Sequence, residues 1–137
     1  MPKEIRTRPI SPQQARAYLG KAGEYLEAAG AELEAGRTIA AASLAVHAGI
    51  NAADALTGMR LGQRAAGQDH DEVLALLRQA GTDGAAIERD LARLLPLKTK
   101  AEYDPDAIPR TTAGRAVEWA GRCVAVARRV AAGQGST

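Results

Sequence analysis

Phenylalanine is absent from this 137-residue chain, and Trp and Tyr contribute one and three residues. A core without large rings has to be filled with small aliphatic side chains, and the 46% hydrophobic content is mostly Ala, Leu, Val and Ile. Cysteine is nearly absent too: Cys123 stands alone, which excludes an intrachain disulfide and a cysteine-built zinc cluster. Charge of one sign is scarce, since 18 Lys and Arg against 16 Asp and Glu leave a net +2. Bulk electrostatics therefore give no case for nucleic-acid binding. No apolar signal core opens the chain, and no run approaches the roughly 18 apolar residues of a membrane span. A cytoplasmic domain without membrane contact is expected, and the Ala/Gly/Arg bias is that of a high-GC bacterial genome. A phosphate loop, a nucleophile elbow and a recognisable Cys–His arrangement are all missing. Neither His47 nor His70 has a Glu three residues before it, so a di-iron bundle site is excluded, and neither metal nor cofactor is expected.

What remains reads as helices. Alanine has the best helix propensity and lets helix axes approach closely. Residues 1–10 mix charges with two prolines and read as a flexible N-terminal arm. Ser11-Pro12 reads as an N-cap with proline at the first helical position. Ala15, Leu19, Ala22, Leu26, Ala29 and Leu33 then recur at spacings of four and three, with Arg16, Lys21, Glu24 and Glu27 on the outer face. Gly36 ends this helix. A short connection leads into Ser43–Gly58, a segment apolar on most of its circumference, as the central helix of a bundle is. The glycine-containing stretch 59–72 reads as a loop between helices. Asp69 caps a short third helix, with Glu72 completing a capping box. The 81–84 segment breaks that helix, and a fourth follows through Ile87, Leu91, Leu94 and Leu95 until Pro96 kinks or ends it. A polar, proline-rich connection leads to the last helix, from Thr111 to Val130, and 133–137 reads as a flexible C-terminal tail. The expected architecture is all-α, a four- to five-helix up-and-down bundle over residues 11–132. Trp119, Cys123 and Val126 add a second apolar stripe to the last helix, which motivates a homodimer.

Three constellations carry the candidate chemistry. His47, Asn51 and Asp54, spaced by four and three, share one side of the central helix. Their plainer role is to bond neighbouring helices, because buried polar groups are satisfied. Their sharper role is for Asp54 to fix a cation brought in from another segment. Lys98–Asp104 is by the plainer reading a solvated charge run, yet the Tyr103 phenol could donate to a ligand or a buried carboxylate. Arg64 and His70 supply a phosphate ligand and a proton acceptor, which metal-free RNA cleavage requires. The plainer role of His70 is to cap or pack the third helix. Arg60 is a further phosphate contact from the same loop.

The ordered set Tyr18-Leu19, Ala22, Ser43-Leu-Ala-Val-His47-Ala, Asp54, His70 and Lys98-Thr-Lys-Ala-Glu-Tyr103 resembles the HEPN domain family, over roughly Ser11 to Val130. The resemblance implies a helical bundle, often homodimeric, acting around RNA or nucleotides in toxin–antitoxin, defence or stress systems. It also implies a possible nucleotidyltransferase or antitoxin partner. Active members of the family are metal-independent ribonucleases with an Arg-x4–6-His motif near the position of Lys98–Tyr103. Here Lys98 stands where that arginine would be and Tyr103 where the histidine would be. Lysine lacks the bidentate fork for phosphate, and tyrosine is a poor base at neutral pH. The expectation is thus a non-catalytic or weakly active HEPN-like protein that binds RNA, a nucleotide or a protein partner. Its binding set is Asn51, Asp54, Arg60, Lys98 and Tyr103, with Asp54 orienting Lys98 and Tyr103. The alternatives are a ribonuclease toxin using Arg64 and His70, and a purely structural helical adaptor.

Overall fold

The computed structural model describes residues 5–67 and 69–135, so Met1–Glu4 of the expected arm and Ser136-Thr137 of the expected tail lie outside the described residues. Among the described residues five helices build an all-α bundle: α1 (Pro12–Glu34), α2 (Thr38–Leu61), α3 (His70–Arg78), α4 (Gly81–Tyr103) and α5 (Arg110–Gly135). Two short strands, β1 (Thr7–Pro9) and β2 (Gln63–Ala65), pair antiparallel beside them, with Arg8 opposite Arg64.

α2 is the central element and touches every other helix. Its buried residues run round the whole circumference, from Ala41 and Ala42 to Thr57 and Gly58. By length and composition α2 could cross a membrane, with a mean hydropathy of 1.3, yet 67% of that stretch is buried inside the bundle. Small side chains permit this close packing. A Cβ added at Gly49 would lie 2.7 Å from Leu94 Cδ1, so this glycine admits the leucines of α4 against the α2 backbone. Leu56, Leu91 and Leu94 are fully buried, and each such leucine contributes about 1.5–3 kcal/mol of transfer free energy.

The local signals at the start of the bundle act as the sequence suggests. The Ser11 hydroxyl accepts from the Gln14 amide, the Gln14 side chain accepts from the Ser11 amide, and Pro12 opens α1. Gly36, with φ of 80°, turns the chain so that α1 and α2 form a hairpin.

Elsewhere the structure departs from the sequence reading. Residues 5–10, expected within a flexible arm, hold β1, and the Ile10 amide donates to the Gly62 carbonyl. α2 continues past Gly58 to Leu61 and ends at Gly62, which adopts the left-handed conformation (φ 68°). Gly58 is instead a notch for Ile10, whose Cδ1 would lie 2.4 Å from an added Cβ. Glu72 gives its carboxylate to Arg6, at 3.2 Å, while Asp69 caps α3 by accepting from the Asp71 amide. α4 begins at Gly81 and runs through Pro96 to Tyr103, absorbing the first half of the stretch read as a connection and leaving 104–109 to join it to α5. α5 likewise extends to Gly135, through most of the expected tail.

The surplus stripe on α5 is largely used within the chain. Cys123 is fully buried, Trp119 and Val126 are half-buried against the core, and the Arg93 guanidinium lies 6.0 Å from the Trp119 ring centroid. Asp90, 2% exposed, receives two hydrogen bonds of 3.1 Å from Arg122 and ties α4 to α5.

A candidate anion-binding pocket

One cavity of about 460 Å³ opens over the polar stripe of α2, which contributes His47, Asn51 and Asp54. α1 lends Tyr18 and Lys21, β2 lends Arg64, α3 lends His70 and α4 lends Lys98. Five separate elements thus converge on one point, and the fold explains how. In the α1–α2 hairpin Tyr18 and Asp54 lie equally far from the Gly36 turn, as do Lys21 and Asn51, so antiparallel packing sets them side by side. The end of α2 at Gly62 turns the chain back into β2, which returns Arg64 to the helix it has just left.

Asp54 is 6% exposed and lies 3.6 Å from Arg64 Nε, an ion pair too long for a hydrogen bond. Burial pushes its carboxyl up to about 6, against the opposing pull of Arg64 and Lys21. Arg64 Nε is itself buried and has no hydrogen-bond partner among the described residues. The Arg64 guanidinium lies over the Tyr18 ring, 5.4 Å from its centroid, within cation–π range. Asn51 donates to the His47 carbonyl at 2.8 Å, which satisfies part of its buried amide. The His47 ring stands 5.5 Å from the Tyr25 ring.

Asn51, Asp54, Arg64, His70 and Lys98, all singled out in the sequence, line this cavity. Tyr103 does not. It is 79% exposed, beside Pro96 and Thr99, because α4 continues unbroken through Pro96. On a continuous helix, five residues turn a side chain by about 140°, so Lys98 and Tyr103 cannot face the same site. Arg60 is also elsewhere, bonded to Asp83 at 2.8 Å. With α2 extended to Leu61, Arg60 points about 120° round the helix from Asp54.

Tyr18, Lys21 and His47 were undervalued in the sequence. Lys21 looks like a solvated residue on α1, and only the hairpin register carries its signal. His47, whose plainer role on the α2 stripe is to bond a neighbouring helix, lines the cavity.

Chemically, three cations and two imidazoles line one cavity with a carboxylate of raised pKa. Such a lining suits an anion with several acceptor oxygens. A larger cavity of about 630 Å³, at the α1–α2 turn, is lined by Ile39 and alanines, and its one charged residue, Arg37, is paired with Glu32. Among the described residues no group of three or more His, Cys, Asp or Glu could hold a metal ion. Comparison of the sequence with protein-family models gives no match, and comparison with curated proteins gives none either.

Proposed function

We propose that the chain is a HEPN-like helical protein, non-catalytic or weakly active, that binds RNA or a nucleotide through phosphate in the cationic pocket. The observation that carries this reading is the convergence of Lys21, Arg64 and Lys98 on one cavity with His47 and His70. Such local focusing of positive charge is compatible with a net charge of only +2. In this reading the setting is a toxin–antitoxin, stress or defence system, with an antitoxin or nucleotidyltransferase as protein partner and a homodimer as the working form. The dimer face then lies outside the Trp119–Cys123–Val126 stripe, which the core largely absorbs.

The ribonuclease reading is favoured by one specific observation: Arg64 and His70 line the same cavity. Against it stands the carboxylate of Asp54, 3.6 Å from Arg64 Nε, whose negative charge beside the guanidinium opposes the charge that builds up on a scissile phosphate.

One experiment separates these. A labelled single-stranded RNA is titrated with the protein, affinity is read by anisotropy, and the RNA is then run on a denaturing gel. Binding weakened about 10-fold in Lys98→Ala and in Lys21→Ala, with intact RNA, is the expected result, since one charge-assisted contact is worth about 1.4 kcal/mol or more. Cleavage that disappears in His70→Ala would install the ribonuclease reading instead. Unchanged affinity in both lysine variants would remove the pocket from RNA binding, and no binding by the wild type would leave only the structural adaptor.

A further inference from the structure

The cationic pocket carries an anion of its own. Asp54 lies on α2, nearly buried, 3.6 Å from Arg64 Nε, and Lys21 and Lys98 line the same cavity from α1 and α4. Three cations against one carboxylate leave two positive charges over, and three once that carboxylate is protonated. We infer that the pocket takes a terminal, dianionic phosphate group rather than an internal phosphodiester, and that Asp54 takes up a proton as the group arrives. This rests on the proposed function and narrows it to the end of an RNA or to a nucleotide monoester.

Charge and geometry both favour the terminal group. With Asp54 protonated the lining carries three positive charges, which the two negative charges of a phosphomonoester answer better than the one of an internal linkage. The monoester's three outer oxygens can be shared between the Arg64 fork and two ammonium groups, and a diester has only two such oxygens. The incoming group must also compete with Asp54 for Arg64, whose buried Nε has no hydrogen-bond partner among the described residues. Two anions at one largely buried guanidinium cannot both keep their charge cheaply, and the group nearest neutrality yields first. Asp54 is that group, held up to about 6 by burial. An anion that draws Arg64 and Lys21 away removes the forces opposing that rise.

The titratable and charged groups that line the cavity with Asp54 are Tyr18 and Lys21 from α1, Arg64 from β2, His70 from α3 and Lys98 from α4, with His47 on its own helix. The two imidazoles are the competing proton acceptors, so the experiment has to tell them from Asp54.

Calorimetric titration with sulfate does so, because sulfate stays dianionic and any proton taken up belongs to the protein. Measured near pH 7 in two buffers of different ionisation enthalpy, the wild type is expected to take up about one proton per sulfate. Asp54→Asn is expected to lose the uptake and bind sulfate up to ~10-fold more tightly at pH 7, with the gain vanishing by pH 5. His47→Gln and His70→Gln keep the uptake. Methyl phosphate is expected to bind more tightly than dimethyl phosphate. Sulfate binding without proton uptake by the wild type overturns the coupling, whether or not the Asn variant folds, and so does uptake that survives in Asp54→Asn. Equal affinity for the two methyl esters overturns the choice of the terminal group. Failure of all three probes to bind from pH 5 to 7 overturns the proposed function, and this inference with it.

Discussion

At Asp54 two opposing influences act on one carboxylate. Burial favours the neutral form, Arg64 and Lys21 favour the charged one, and burial prevails, leaving a pKa of about 6. The folded chain therefore holds this proton to a higher pH than the unfolded chain does. Stability contributed by Asp54 falls as pH rises from about 4 to about 6, and the deficit stays constant above that window, on the order of 3 kcal/mol. Comparing urea unfolding of the wild type and Asp54→Asn between pH 4 and 7 isolates this effect. The Asn variant is expected to gain stability relative to the wild type as pH rises; a flat difference curve would refute the raised pKa. Asp54 itself was visible in the sequence, because a carboxylate on a helix apolar nearly all round needs a partner. The identity of that partner was not, since Arg64 reaches it only through the turn at Gly62.

The elements that hold the pocket are of unequal firmness. β2 carries Arg64, yet it is only three residues long and its one strand partner is β1. The Ala66 amide donates to the Arg6 carbonyl, Ile10 fills the notch at Gly58, and the Arg6 guanidinium pairs with Glu72, which is buried at the start of α3. The Arg6 side chain is two-thirds exposed, so solvent weakens the pair, and its loss should cost about 1 kcal/mol. Arg6→Ala is accordingly expected to speed hydrogen exchange at the Ala66 amide by ~5-fold while protection in α2 is unchanged. Unaltered exchange at Ala66 would show that strand pairing alone secures the segment. Residues 5–10 carry too little hydrophobic pattern to announce a strand, because a strand of three residues is specified by what it pairs with. Pro96 misleads in the opposite direction. Proline is a helix breaker, yet α4 passes through it on the exposed side, and packing of Leu91, Leu94 and Leu95 keeps the helix going.

For the molecule as a whole, α2 is the post around which the other helices pack, and Cys123 reports on the integrity of that packing. Its thiol is fully buried against the Ile87 carbonyl, and burial pushes it up to about 12. Both inaccessibility and the scarcity of thiolate make it inert in the native state. Alkylation of Cys123 is therefore expected only when the bundle opens, with a urea dependence that follows the loss of helical circular dichroism. Rapid labelling in native buffer would mean that α4 and α5 separate without global unfolding.

The sequence by itself determined the all-α class, the α1–α2 hairpin, the central position of the Ser43–Gly58 segment and the suspicion that falls on Asp54. These are local quantities, set by residue spacing, caps and the apolar circumference of one helix. Only the tertiary structure decided which cations meet that carboxylate. Helix phase removed Tyr103 and Arg60 from the pocket, hairpin register brought in Tyr18 and Lys21, and chain reversal at Gly62 returned Arg64. Each of these depends on where an element stops or how far it continues, and in this chain that was settled by packing against α2.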